Sequence, residues 1–378
     1  EGAPAGMVIP RRDVAGAPET PGWRPAVRVQ PTDPLAIVWT SGTTGAPKGA
    51  VFDHRCLEAM SAGAGALSRP GDRRLSPLPF AHVGYMTRPW DEIAHGITTV
   101  IVPSPWRAAE ALRLIDVERV TVGQGVPAQW ALMLAAPELD GTDVSRLRLA
   151  GTGGASVPPA LVREMRRRLG CPVIVRYAST EASLATGTRL DDHDEVIAST
   201  VGRPADGVEL RISDDTGAAV AGGEVGVVRL RSRAVMRGYW KDEAATASVL
   251  DAEGWLSTGD LGRVDPAGNL TLVGRKVEMY IRGGYNVYPS EVEAVLADHP
   301  AVARVAIVGT PNSVLGQEGT AFVVAGAAGP PTLEDLRAWC RARLADYKAP
   351  DRLVVVDALP LTAMLKVDKR ALASMVAQ

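Results

Sequence analysis

Leu35-Ala36-Ile37-Val38-Trp39 leads directly into Thr40-Ser41-Gly42-Thr43-Thr44-Gly45-Ala46-Pro47-Lys48-Gly49, and the reading of the whole chain turns on this junction. An apolar run of strand type delivers the backbone to a loop dense in glycine and hydroxyl groups. The glycines let the main chain approach a ligand closely, the hydroxyls and free N–H groups supply donors, and Lys48 adds a compact cation. Those features suit a polyphosphate, and a nucleoside triphosphate is the natural guest. The Walker loop, G-x-x-x-x-G-K followed by Ser or Thr, is not the pattern present. Pro47 precedes the lysine, and Gly49 stands where that loop needs a metal-binding hydroxyl.

The chain has 378 residues, 46% hydrophobic and 22% charged, which suits a globular protein of two or three domains. A formal charge of −2 argues against a general nucleic-acid or polybasic membrane surface, so phosphate binding is expected to be local. Arginine dominates the cations, and the lysines stand only at 48, 241, 276, 348, 366 and 369. Because a compact ammonium and a planar guanidinium serve different chemistry, Lys48 and Lys366 draw notice. Cys56, Cys171 and Cys340 are widely spaced with no paired motif, which fits a reduced, cytoplasmic setting. No apolar run has membrane-spanning length. His54, His95, His193 and His299 share no metal-ligand spacing.

Residues 1–33 read as a linker segment, residues 34–275 as one large domain and residues 276–378 as a small one. Strand-type runs at 35–41, 97–104, 118–123, 147–151 and 172–177 alternate with helical patterns near 54–67, 107–115, 128–135 and 159–169. This predicts an α/β domain with a helix-covered, mostly parallel sheet. The helix at 159–169 is well punctuated by Pro158-Pro159, Arg166-Arg167-Arg168 and Gly170. Strands without helices follow at Val208–Ile212, Gly226–Arg231 and Asn269–Val273, predicting a β-rich subdomain. The last hundred residues predict a small α+β unit, with helices from about Ser290 and near 332–345 and strands near 303–308, 320–325 and 352–357.

Further segments stand in a fixed order after the glycine loop. They are Pro79-Phe80-Ala81-His82-Val83-Gly84, Gly151-Thr152-Gly153-Gly154-Ala155, Arg176-Tyr177-Ala178-Ser179-Thr180-Glu181, Ser257-Thr258-Gly259-Asp260, Gly274-Arg275, Gly283-Gly284-Tyr285-Asn286-Val287-Tyr288-Pro289, and Lys366. Together they resemble the adenylate-forming superfamily of acyl-CoA synthetases, peptide-synthetase adenylation domains and luciferases. The resemblance covers nearly all of residues 35–370.

It implies ATP-dependent activation of a carboxylic acid to an acyl-adenylate, followed by thioester formation with coenzyme A, in the adenylate-forming fold with a mobile C-terminal domain. Thr40, Ser41, Gly42, Thr43, Thr44, Gly45 and Lys48 are implied to hold the ATP phosphates. Glu181 is the implied Mg2+ ligand, shared with Thr40, and Thr180 belongs to the same nucleotide motif. Gly153, Gly154, Ala155, Arg176 and Tyr177 are implied beside the AMP moiety. Asp260 with Arg275 is implied at the ribose. Lys366, Lys48 and His82 are implied at the reacting centre, His82 as a gate to the acyl pocket. Gly283, Gly284 and Tyr285 are implied to meet coenzyme A after the small domain swings.

The chain departs from the family pattern in three ways. Val277 stands where an acidic residue or lysine usually marks the pivot, and Leu365 stands where glycine usually precedes the catalytic lysine. The phosphate loop also begins about forty residues in, whereas relatives carry an N-terminal lobe upstream. A partner chain, the missing lobe or a homo-oligomer is expected to cover the apolar surface thus left. Transfer to a carrier protein, and a nucleotide- or acyl-AMP-binding module without turnover, stay open as alternatives. With few Phe and Tyr, an aliphatic acid is favoured slightly over an aryl one.

Overall fold

A computed structural model describes residues 28–40, 47–155, 157–362 and 366–376. Ser41, Gly42, Thr43, Thr44 and Gly45 of the glycine loop, and Leu365, lie outside the described residues.

The expected parallel sheet is present. Its seven strands lie in the order Thr98–Ile101, Arg73–Ser76, Val122–Gly125, Leu149–Gly153, Val173–Ser179, Ser183–Gly187 and Arg203–Pro204. The first five are mutually parallel and the last two join antiparallel. Helices Ala108–Val117, Pro127–Ala135 and Pro159–Leu169 cover one face, and Leu112, Ile115, Trp130, Met133, Val162 and Met165 are buried between them and the sheet. Trp130 uses room that glycine leaves, since a Cβ on Gly123 would come within 2.8 Å of its ring. Its indole N–H donates to the Gly151 carbonyl at 3.1 Å, so the one polar atom of the largest core side chain is satisfied.

The strand after the linker does not join that sheet. Pro34–Trp39 pairs antiparallel with Gly49–Asp53, which also pairs with Gly238–Tyr239 in a separate three-stranded sheet. The nine residues between Trp39 and Gly49 explain this. A parallel partner needs a crossover of a dozen residues or more, whereas a short loop returns the chain at once. Pro34–Trp39 and Gly49–Asp53 are therefore the two arms of one hairpin. A Cβ on Gly49 would meet Ile37 at 2.7 Å, Trp240 at 3.4 Å and Trp39 at 3.7 Å, so the two tryptophans flank this glycine. Trp39 is 59% exposed and Trp240 45%, an uncovered apolar pair on the small sheet.

Strands Val208–Ser213, Gly226–Ser232, Leu256–Val264 and Leu270–Arg275 form an antiparallel sheet in that order. The third of them is absent from the sequence reading because Ser257-Thr258-Gly259-Asp260 has turn composition. The C-terminal sheet runs Tyr285–Val287, Tyr280–Arg282, Gly316–Ala325, Val302–Asn312, with Arg352–Val355 parallel to Gly316–Ala325. Helices Pro289–Leu296 and Leu333–Arg341 enclose its core of Val292, Leu296, Ile307, Val323 and Leu336. Helix Lys369–Val376 packs through Leu372 against Ala306, Val308 and Phe322. Among the described residues no helix is long and apolar enough to cross a membrane.

Trp130→Ala removes a fully buried side chain from a site bounded by glycines that cannot fill the void. It is expected to lower the stability of the large domain by about 3–5 kcal/mol, read from the urea midpoint of its unfolding transition. A shift under 1 kcal/mol would show that this packing is not central.

Candidate active site

The register of the four-stranded sheet sets Asp260 directly opposite Arg275. Asp260 is buried, and its carboxylate is shared: Arg275 Nε donates to Oδ1 at 2.8 Å, and Tyr177 Oη donates to Oδ2 at 2.5 Å. Tyr177 comes from Val173–Ser179 of the parallel sheet, so one carboxylate joins two sheets. Burial, and then the Asp260 charge, push the Tyr177 phenol well above its ordinary range. Tyr177 thus stays a neutral donor. Each carboxylate oxygen keeps a further lone pair for another donor.

The hairpin neck is closed by Thr40 and Lys48. Thr40 N donates to the Lys48 carbonyl at 2.8 Å, and Lys48 N donates to Thr40 Oγ1 at 3.0 Å. The Lys48 ammonium lies 5.1 Å from the centre of the Tyr239 ring, and Tyr239 Oη donates to Glu181 Oε1 at 2.8 Å. Lys48 and Glu181, expected at the phosphates and the metal, therefore meet through an aromatic residue absent from the sequence reading. Burial first, and the Glu181 charge second, raise the Tyr239 phenol, so it too remains a donor. Its only local signal is Gly238-Tyr239 ahead of an acidic helix start, while its partner lies 58 residues away.

Among the described residues no group of three or more His, Cys, Asp or Glu side chains could hold a metal. Glu181 Oε2 accepts no hydrogen bond from the described residues. One carboxylate beside phosphate oxygens fits Mg2+, which keeps several waters and takes few protein ligands.

Lys366 is half-buried, and its ammonium is lowered from its ordinary value by burial and by the Arg275 charge, with Asp260 opposing. The same ammonium is felt by His82, whose imidazole falls to about 4 through burial and then through Lys366. His82, Lys366, Arg275 and Asp260 thus form one electrostatic group built from both parts of the chain. His82 caps the short helix Val83–Met86, its Nδ1 accepting from Gly84 N at 3.0 Å. That bond places the proton of the neutral ring on Nε2. Behind Lys366, Lys369 pairs with Glu278 at 2.8 Å and Glu293 at 2.9 Å, which fastens the last helix to Pro289–Leu296.

Not every expected residue joins this group. Gly153 ends Leu149–Gly153 beside Arg176 in register, and Gly154, at φ +77°, with Ala155 forms the bend beyond it. Thr180 lies in the turn before Glu181. Arg176, expected beside the nucleotide with Tyr177, leaves the strand on the opposite face, as neighbours in a strand must. Its Nη2 donates to the Ala64 carbonyl at 2.9 Å. Gly283 and Gly284 form the turn of the Tyr280–Arg282/Tyr285–Val287 hairpin, and exposed Tyr285 stacks on Tyr347 at 4.6 Å. No hydrogen bond among the described residues ties these three to the Asp260 group.

The imidazole of His82 gives the site a pH signature. With its native value near 4 and an unfolded value near 6.5, the unfolded chain binds a proton that the native residue refuses. Its contribution is intact above pH 6.5, and stability is lost as pH falls from 6.5 towards 4. Urea midpoints at pH 7.5 and pH 5 are expected to fall further for the wild type than for His82→Gln. Equal losses would contradict a half-buried imidazole held neutral.

The family profile described as AMP-binding enzyme matches residues 7–240, and the AMP-binding enzyme C-terminal domain profile matches residues 291–366. A Mycobacterium tuberculosis protein named 3-[(3aS,4S,7aS)-7a-methyl-1,5-dioxo-octahydro-1H-inden-4-yl]propanoyl:CoA ligase is 41% identical over 91% of this chain and 67% of its own length. Indoleacetate–CoA ligase of Aromatoleum aromaticum is 36% identical over 93% of this chain and 69% of its own. ATP-bound MatB from Rhodopseudomonas palustris superposes with a TM-score of 0.85 at 29% identity, over 92% of this chain and 69% of that one. The amide bond synthetase McbA from Marinactinospora thermotolerans does so with 0.84 at 33% identity, over 92% and 71%. The chain spans about two thirds of the length of the curated relatives it matches. With both profiles matched in order, the chain belongs to the AMP-binding enzyme family, among relatives that are acyl-CoA ligases.

Proposed function

We propose that this chain activates a carboxylic acid with ATP, forming an acyl-adenylate and pyrophosphate, and then forms a thioester with coenzyme A, as an acid-thiol ligase. The observation that carries this reading is the convergence of Tyr177, Asp260 and Arg275 from two sheets, with Lys366 of the C-terminal unit in electrostatic range of it. In the first step a carboxylate oxygen attacks the α-phosphorus of ATP, and the bond to pyrophosphate breaks. Two anions must approach, and negative charge accumulates on the α-phosphate oxygens. An ammonium brought from a mobile unit offsets that charge where water is excluded. Lys48 and the glycine loop hold the outgoing phosphates, Asp260 accepts from the ribose hydroxyls, and Tyr177 with the Gly153-Gly154-Ala155 bend bounds the adenine. Mg2+ held by Glu181 and Thr40 would supply charge neutralisation of the polyphosphate. His82, neutral above about pH 5, presents Nε2–H and gates the acyl site without shuttling protons.

In the second step the thiol sulfur attacks the acyl carbon and AMP leaves. Residues 276–378 act as the mobile unit, which exchanges the Lys366 face for the Gly283–Tyr285 face. Val277, exposed at this junction, offers no polar contact to hold either orientation. An additional polypeptide segment or second copy covers the Trp39 and Trp240 pair, and three free buried cysteines suit a cytoplasmic setting. Relatives named for a dioxo-octahydroindenyl propanoyl acid, indoleacetate and long-chain fatty acids bracket the chemistry of the acid.

Lys366→Ala is expected to slow acid-dependent pyrophosphate release by about 10²–10³-fold. Thioester formation from synthetic acyl-adenylate and coenzyme A is expected to suffer far less, since Lys366 acts before that step. Equal loss of both half-reactions would overturn the role given to this lysine. Running the second half-reaction with a phosphopantetheinylated carrier in place of coenzyme A tests the acceptor.

A further inference from the structure

Behind the strand that presents Tyr177 lies a group of arginines that the reaction above does not use. Arg176 reaches along the far face of the sheet, where a Cβ on Gly187 would lie 2.4 Å from its Nη1 and 2.6 Å from its Cδ. The guanidinium rests in space that only glycine leaves open. Its Nη2 meets a backbone carbonyl, its Nε is buried with no hydrogen-bond partner, and no salt bridge joins it to a carboxylate of the described residues. Arg88 reaches a carboxylate only at 3.5 Å, through Nη1 to Asp91 Oδ2. That carboxylate is already committed to Arg74 at 2.8 Å and Ser68 at 2.7 Å, and Glu92 stands 3.7 Å from Arg74.

Arg74 and Arg88 share Asp91 and Glu92, while Arg176, whose charge Arg88 feels, has no carboxylate of its own among the described residues. Burial lowers Arg176 to about 10 with no charged group offsetting it, and burial with the Arg74 and Arg176 charges lowers Arg88 to about 10. Both remain cations at neutral pH. Arg176 has no anionic partner and its Nε no acceptor, an unfavourable state for a guanidinium that a ligand oxygen would relieve.

The location points to which ligand. Arg88 follows His82 by six residues through the helix Val83–Met86, and Arg88 N donates to the Tyr85 carbonyl. At a helical rise of 1.5 Å per residue the four helical residues alone supply roughly 6 Å of that separation. An acid with its reacting carboxylate at Lys366 and His82, lying along this helix, brings its far end towards the arginines. We propose that Arg176 and Arg88 select acids carrying a second oxygen acceptor, a carboxylate or a ketone, at the end remote from the reacting carboxylate. The inference rests on the ligase reading given above, and it replaces the plain aliphatic acid that composition alone favoured.

The test measures pyrophosphate release with octanedioic acid, an eight-carbon oxo acid with its ketone at the penultimate carbon, and octanoic acid, on the wild type, Arg176→Met and Arg88→Met. The wild type is expected to favour one or both oxygen-bearing acids by at least about tenfold in kcat/KM, because leaving a built polar site unpaired is heavily penalised. In either variant the ratio to octanoic acid is expected to fall towards one. A preference for the diacid identifies a carboxylate site, and a preference for the oxo acid a ketone site. A merely structural arginine would lower all three rates together and leave the ratio intact, which would overturn the proposal. If the variants do not fold, the wild-type panel decides alone: octanoic acid used as well as the others overturns it. ATP binding without pyrophosphate from any acid removes the ligase reading itself, a distinct result that takes this inference with it.

Discussion

The carboxylate of Asp260 is the constraint around which the large domain closes. A buried anion is tolerated only when its oxygens are paired, and here the pairs come from different sheets: Tyr177 from the parallel sheet and Arg275 from the antiparallel one. The cross-strand register that sets Asp260 against Arg275 is thereby tied to the position of Tyr177. Lys366 then enters a neighbourhood that already holds a guanidinium, and its ammonium is correspondingly lowered. The site brings cations together in advance of the anions they would meet.

A second chain of contacts runs from the hairpin neck to Glu181. Thr40 and Lys48 bind each other through both backbone and side chain, so the loop leaves and returns through a fixed gate. Tyr239 joins the two charged ends by offering its ring face to Lys48 and its hydroxyl to Glu181. This is an economical use of an aromatic residue, because the π face attracts a cation while the phenol donates to an anion.

Much of this was legible in the sequence where a feature is local. The helix at 159–169 carries its own start, stop and dipole signals, and it forms at those residues. The motif order identified the family because each segment reports a fixed place along the chain. What stayed hidden was set by pairing across distance. The strand Leu256–Val264 is masked by Ser-Thr-Gly-Asp, and its extended form is imposed by Gly226–Ser232 and Leu270–Arg275 on either side. The first strand's antiparallel partner follows from loop length, which the strand pattern alone does not weigh. Tyr239 and Glu181 meet only after the three-stranded sheet has assembled. The direction of Arg176 was readable after all: two consecutive strand residues face opposite ways, so Arg176 turns to the face away from Tyr177.

Lys369, wedged between Glu278 and Glu293, has a consequence for how the terminal unit can move. Lys366 stands three positions before it, so the final helix and the Lys366 backbone are held to Pro289–Leu296 as one lever. In the swing proposed above, the tip of such a lever would be aimed by the angle near Val277 and not by rotamer choice at the tip. Two snapshots of the lobe with identical internal distances would then represent different chemical states, and superposing the lobe on itself would show nothing of the change.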